Sequence, residues 1–137
     1  MEAALAAARE VVPDLPVVTT LSFDTNLRTM MGVRPGAAVT ALAAAGADAV
    51  GANCGRGPEE MEQIAAELAA ARPEGLLLVA QSNAGLPQVV GDHFEYDKSP
   101  ADLADHAQVL HKLGIDLVGA CCGSTHDHIA AIRDTLA

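Results

Sequence analysis

DLVGACCGS, residues Asp116–Ser124, is an apolar run that stops at two adjacent cysteines held between Gly119 and Gly123. Neighbouring side chains on a strand point to opposite faces, so Cys121 and Cys122 cannot both reach one point if a strand runs straight through them. The strand must end there. Glycines on either side let the backbone bend and turn both sulfurs toward one site. A second apolar run, Asp48–Asn53 (DAVGAN), also ends in a cysteine, Cys54, with Gly55 and Gly57 after it. Three thiols therefore sit just past the C-terminal ends of two expected strands.

The interval between Cys54 and Cys121 is far too long for a zinc finger, whose paired ligands lie a few residues apart. Tertiary structure has to assemble this site. Three thiolates with an open fourth position make a soft site that suits zinc and leaves room for an exchangeable ligand. Taken singly, Cys54 reads as a small core hydrophobe. With the Cys121 and Cys122 pair at a matching strand end, the trio reads as a metal site, the alternatives being core packing or a strained vicinal disulfide.

Outward from these strands the chain alternates. Glu2–Val12 is an alanine-rich helix ended by Pro13 to Pro16, and Pro16–Phe23 is a β-branched strand. Asp24–Arg34 is a polar loop leading through Pro35 to a helix over Gly36–Ala45. After the strand Asp48–Asn53, Pro58 opens a longer helix with Met61, Ile64, Ala65 and Leu68 on one face. The turn Arg72–Gly75 leads to Leu76–Gln81, a strand covered on both faces, and then to a long loop, Ser82–Lys98. Ser99 caps a helix over Pro100–Leu113, Ile115–Ala120 is the fourth strand, and Ser124 or Thr125 caps a last helix to Leu136. A helix followed by four strand and helix pairs implies an α/β fold with parallel strands and crossover helices. The loops after such strands gather on one face, where ligands bind, and both cysteine positions fall there.

The 137 residues suit one domain, here residues 1–137, whose core is built from Ala, Val, Leu and Ile because aromatics are only 2%. A formal charge of −10 disfavours nucleic acid and anionic membrane surfaces as partners. No apolar run approaches the ~20 residues of a membrane span, and Met1–Glu10 lacks the features of a signal peptide, so the cytoplasm is the expected location. In a reducing compartment an odd cysteine count points to metal binding or catalysis before disulfides. His126 and His128 fall in the first turn of a helix, where surface or capping roles are expected. His93, His106 and His111 carry no functional signal, and Met30 and Met31 either line the mouth of the site or simply form its hydrophobic rim. No dinucleotide or phosphate-loop glycine pattern is present, so the sequence assigns no such cofactor.

The strings PVVTTLSFDTNLRTMMG, GADAVGANCGRGPEEM, NAGLP and GIDLVGACCGSTHDHIAAI closely resemble the zinc-dependent homocysteine S-methyltransferase family. That family includes the homocysteine-binding domain of methionine synthase and betaine–homocysteine methyltransferase. The resemblance implies half of a (β/α)8 barrel: strands five to eight, preceded by the helix that follows strand four. By the same analogy Cys54 follows strand six, Cys121 and Cys122 follow strand eight, and these three bind Zn2+. Asn83, after strand seven, matches a position where a relative uses an amide oxygen as a displaceable fourth ligand. Asp24, at the end of the first strand, is a candidate for holding the substrate ammonium, and Asn53 of the GANC string joins the substrate-binding candidates.

The activity implied is methyl transfer to the thiol of homocysteine, giving methionine, from a donor that the sequence does not identify. A complete (β/α)8 barrel takes about 250 residues, close to twice this length. The resemblance therefore leaves an alternative, a non-catalytic zinc-binding half-barrel that needs a partner chain. Four parallel strands in an open arrangement leave edges and an apolar face uncovered, which suits closure by a second copy in a homodimer or by a complementing half-barrel chain.

Overall fold

Prolines open three of the helices, and short strands fill the intervals between them. In the computed structural model, which describes residues 1–137, the elements are α1 (Glu2–Val11), β1 (Val18–Leu21), α2 (Pro35–Ala44), β2 (Ala49–Cys54), α3 (Pro58–Ala70) and β3 (Leu77–Ser82). There follow β4 (Gln88–Val90), β5 (His93–Glu95), α4 (Pro100–Lys112), β6 (Leu117–Ala120) and α5 (His126–Leu136). Pro35, Pro58 and Pro100 each stand at the first helical position, where a missing N–H costs nothing. Ser99 and Asp102 cap α4 reciprocally, and Thr125 and His128 do the same for α5.

Four strands make one parallel sheet in the order β1-β2-β3-β6. This is the α/β arrangement of parallel strands and crossover helices that the sequence predicts. Two details differ. The segment Ser82–Lys98, expected to be loop throughout, contains the antiparallel hairpin β4-β5, turned at Gly91 and paired Val89 to Phe94. Its strands are three residues each and wholly exposed, too short to register as a periodic pattern. The strand expected over Pro16–Phe23 pairs only from Val18 to Leu21, and at its start the Val17 N–H is taken by the Asp48 carboxylate.

Alternation along the strands divides the sheet. Val50 and Ala52 of β2 and Leu78 and Ala80 of β3 face the helices and join Val39, Met61, Ile64 and Leu68 in one core. Each fully buried Leu or Ile there contributes about 1.5–3 kcal/mol relative to exposure. A smaller cluster of Ala84, Leu103, Ala107 and Ile132 seats α4 and α5. On the opposite face β2 and β3 approach closely: a Cβ at Gly51 would lie 1.9 Å from the Val79 carbonyl oxygen, so glycine alone fits. Val18, Leu77 and Leu117, the first residues of three strands, remain 53%, 43% and 44% exposed.

Arg9 ties α1 to the rest, donating to the carbonyls of Gly46 and Leu15 and to the carboxylate of Asp48. That carboxylate also accepts the Val17 N–H at 2.6 Å. The Val17 N–H and then the Arg9 guanidinium hold Asp48 below the ordinary carboxylate range. No helix is long and apolar enough to cross a membrane.

Candidate metal centre

A straight continuation of β2 would send Cys54 to the helix-facing side with Val50 and Ala52. Instead Cys54 has φ of 62°, the left-handed region that side chains with a Cβ rarely adopt, and the alternation breaks at that residue. On the second strand end, Cys121 follows Leu117 and Gly119, and the chain then turns at Gly123, where φ is 79°. The Tyr96 ring lies flat against that glycine, with its Cγ 2.1 Å from where a Cβ would stand.

These two departures bring the sulfurs together. Cys54 Sγ and Cys121 Sγ lie 2.8 Å apart, and Cys121 and Cys122 Sγ lie 3.9 Å apart. All three ligand atoms fall within 4.8 Å of one another, which is close enough to share a metal ion. Thiolates about 2.3 Å from a tetrahedral ion stand about 3.8 Å from each other. The Cys121 and Cys122 pair matches that edge, and the Cys54 and Cys121 pair would open by about 1 Å. None of the three forms a disulfide.

Burial, and then the neighbouring Cys54, push the Cys121 thiol above its ordinary range. A bound divalent cation reverses that logic, since a coordinating thiol loses its proton outright. Soft, clustered sulfur donors at a partly open strand end fit a thiophilic metal.

Asparagine braces the cluster. The Asn83 side chain, in a residue only 6% exposed, donates from Nδ2 to the Gly55 carbonyl at 2.8 Å and accepts at Oδ1 from the Cys122 N–H at 3.0 Å. One amide thus links the loop after Cys54 to the cysteine pair. Asn53 Nδ2 donates to Cys54 Sγ at 3.1 Å, which fixes the direction of that side chain. Ser124 Oγ, just past the pair, is buried without a hydrogen-bond partner.

Asp24 stands elsewhere. It lies exposed on the wall of an open apolar cleft of about 700 Å³, with Leu21, Thr25, Met30 and Met31, and none of the cysteines lines that cleft. His126 is surface-exposed, whereas His128 is buried: its Nδ1 accepts from Thr125 N at 3.0 Å and its Nε2 donates to the Lys98 carbonyl at 3.1 Å. His128 caps its helix, as expected for the first turn.

His106, which carries no functional signal in the sequence, is buried and bonded at both ring nitrogens. The signal of its burial was present: Leu103, His106, Ala107 and Leu110 follow the spacing of a single helix face, and all four are buried.

The fold and the sulfur cluster together define a class. The family model described as Homocysteine S-methyltransferase matches residues 1–136, and the chain belongs to that family. Among individual relatives, it is 33% identical over 124 residues to the methionine synthase of Mycobacterium leprae (strain TN), and 34% identical over 124 residues to that of Mycobacterium tuberculosis (strain ATCC 25618 / H37Rv). Each alignment covers 90% of this chain and 10% of the relative.

The structure is similar to the homocysteine methyltransferase MmuM from Escherichia coli. For the oxidized form the TM-score is 0.70 at 24% identity, covering 97% of this chain and 40% of that one. For the apo form it is 0.73 at 23% identity, covering 98% and 45%. The chain therefore corresponds to part of a barrel enzyme, spanning about a tenth of the methionine synthases and under half of MmuM.

Proposed function

We propose that residues 1–137 are a single half-barrel domain carrying the thiol-activating zinc site of a homocysteine S-methyltransferase, with Cys54, Cys121 and Cys122 as the ligands. The observation that carries this reading is the convergence of three sulfurs from two separate strand ends within 4.8 Å. A cluster of core cysteines needs no such convergence, and a strained backbone at Cys54 is hard to account for without a functional demand.

Bound there, zinc supplies a Lewis acid that lowers the pKa of an incoming thiol and leaves its sulfur nucleophilic. The chain's own groups prepare the place. Asn53 holds the Cys54 sulfur by a hydrogen bond, and Asn83 holds the two cysteine loops in fixed relation. Asn83 Oδ1 keeps a second lone pair beyond the one given to Cys122, which suits it to serve as the displaceable fourth ligand.

The acceptor is homocysteine or a closely related thiol, whose unperturbed pKa of ~8.5 leaves little thiolate at neutral pH. The substrate sulfur gains a bond to the transferred methyl carbon as that carbon's bond to its donor breaks, and the thiol proton leaves to solvent. Asp24, exposed three residues past β1 on the wall of the apolar cleft, would hold the ammonium of a substrate that reaches from the sulfurs into that cleft.

Turnover requires four further strand and helix units to complete the barrel wall, supplied by a second copy or by a complementing half-barrel. Supporting this are the share of MmuM that the chain covers, the unpaired outer edges of β1 and β6, and the exposed Val18, Leu77 and Leu117. The cytoplasm, a reducing compartment, suits three free thiols.

Metal analysis with native mass spectrometry tests the reading. About one zinc per chain is expected, with loss on Cys54→Ser. A metal-free protein holding a Cys121 to Cys122 disulfide would refute it. Methyl transfer to homocysteine, assayed with several donors with and without a complementing half, separates an enzyme from a binding fragment.

A further inference from the structure

Behind the thiols runs a chain of hydrogen bonds that no part of the proposed chemistry uses. Glu62 of α3 meets His106 of α4, Oε1 to Nδ1, at 2.9 Å, and His106 Nε2 meets Ser82 Oγ of β3 at 2.6 Å. Ser, His and carboxylate in this order resemble a hydrolytic triad. Burial excludes that role: Ser82 is 0% exposed, so its hydroxyl cannot meet a substrate.

The connectivity points elsewhere. Ser82 pairs with Cys54 across the β2-β3 register, and its carbonyl accepts the Cys121 N–H at 2.7 Å. Asn83, the next residue, bonds the loops beyond Cys54 and at Cys122. A single residue thus lies between the two strand ends that deliver all three sulfurs.

A carboxylate can only accept, so His106 Nδ1–H donates to Glu62 and the bare Nε2 accepts the Ser82 hydroxyl proton. That order fixes the Ser82 rotamer and anchors the end of β3 to two helices. Glu62 is partly exposed, whereas the His106 side chain is 3% exposed, so the chain runs from the surface to the floor of the site.

We propose that Glu62, His106 and Ser82 are positioning residues that set the spacing of Cys54 and Cys121, and thereby the metal affinity of the cluster. This rests on the reading of the cysteines as zinc ligands. None of the three touches the metal or the substrate; they act through the backbone of Ser82. Residues that orient a ligand set from outside it change metal affinity by roughly 10–100-fold when removed.

The test uses the full chain with Glu62→Ala, Ser82→Ala and the conservative Glu62→Gln, which keeps an acceptor for His106 Nδ1–H. Cobalt(II) and zinc are titrated in competition with a chelator, the visible cobalt–thiolate bands are recorded, and amide hydrogen exchange is followed at Cys121 without metal. Glu62→Ala and Ser82→Ala should each weaken binding about tenfold, alter the cobalt bands and speed exchange at Cys121, whereas Glu62→Gln stays within about twofold of the parent.

Unchanged affinity and unchanged Cys121 exchange in both alanine variants overturn the proposal. Exchange that quickens equally across α3, α4 and the whole sheet also overturns it, since that marks a general loss of stability. If the parent binds neither metal, the zinc reading fails by itself, and exchange at Cys121 still decides whether the chain holds that strand end.

Discussion

Replacing Asn83 by alanine separates two roles that one amide could play. Its Nδ2 satisfies the Gly55 carbonyl and its Oδ1 satisfies the Cys122 N–H, in a residue 6% exposed. Truncation deletes both bonds and leaves two backbone groups without these partners, each costing about 1–3 kcal/mol where water cannot replace them. Water reaches Cys122 more easily than Asn83, so the sum falls at about 2–4 kcal/mol.

For a chain of this length that is a fall in melting temperature of about 6–16 °C. Urea denaturation and thermal melts of the metal-free protein read it directly. The metal-free state matters because a residue that served only as a metal ligand would leave this stability untouched. A loss below about 0.5 kcal/mol without metal would refute the bracing role.

Three further outcomes follow from the same structure. Burial holds His106 below its ordinary pKa of 6.5 against the opposing pull of Glu62 and then Glu59. Below that value the unfolded chain takes up the proton first, so the stability His106 contributes is present above about pH 6.5 and is lost as pH falls through the lower folded value. Denaturation curves between pH 5 and 8 should lose part of their slope in His106→Gln, and an identical slope would count against the assignment. Asp48 is held low by Val17 N–H and Arg9, so its contribution is present above its ordinary 3.8 and is lost as pH falls through the folded value. Asp48→Asn should melt below the parent at pH 7 and approach it near pH 3. Gly51→Ala would force a methyl group into the Val79 carbonyl and push β2 from β3, costing about 1–3 kcal/mol or more, which melting temperature would report.

Much of the architecture was written in local chemistry. Prolines at 35, 58 and 100 start helices whatever surrounds them, because the constraint lies in the residue itself. The apolar runs around Val50, Leu78 and Val118 announce strands by composition, and alternation of strands with helices leaves little choice but a parallel sheet. The hairpin β4-β5 escaped because three-residue strands with both faces in water have no period to detect. His106 escaped for another reason: a polar residue on an apolar helix face announces burial, yet gives no hint of its partner.

The sequence by itself determined that three thiols lie at the ends of two strands, and it linked them to a family through the GANC and CCG strings. Only tertiary structure decided whether they meet. Cys54 and Cys121 stand 67 residues apart in the chain, and their 2.8 Å approach depends on a shared strand neighbour, a left-handed backbone at Cys54 and a tyrosine packed on Gly123. Tertiary structure alone gave Asn83 its two backbone partners and Ser82 its place beneath the sulfurs. Short-range preferences are properties of a residue and its few neighbours, so they survive in a string of letters. A distance between remote strand ends is set by packing of the whole sheet against its helices, and no local pattern encodes it.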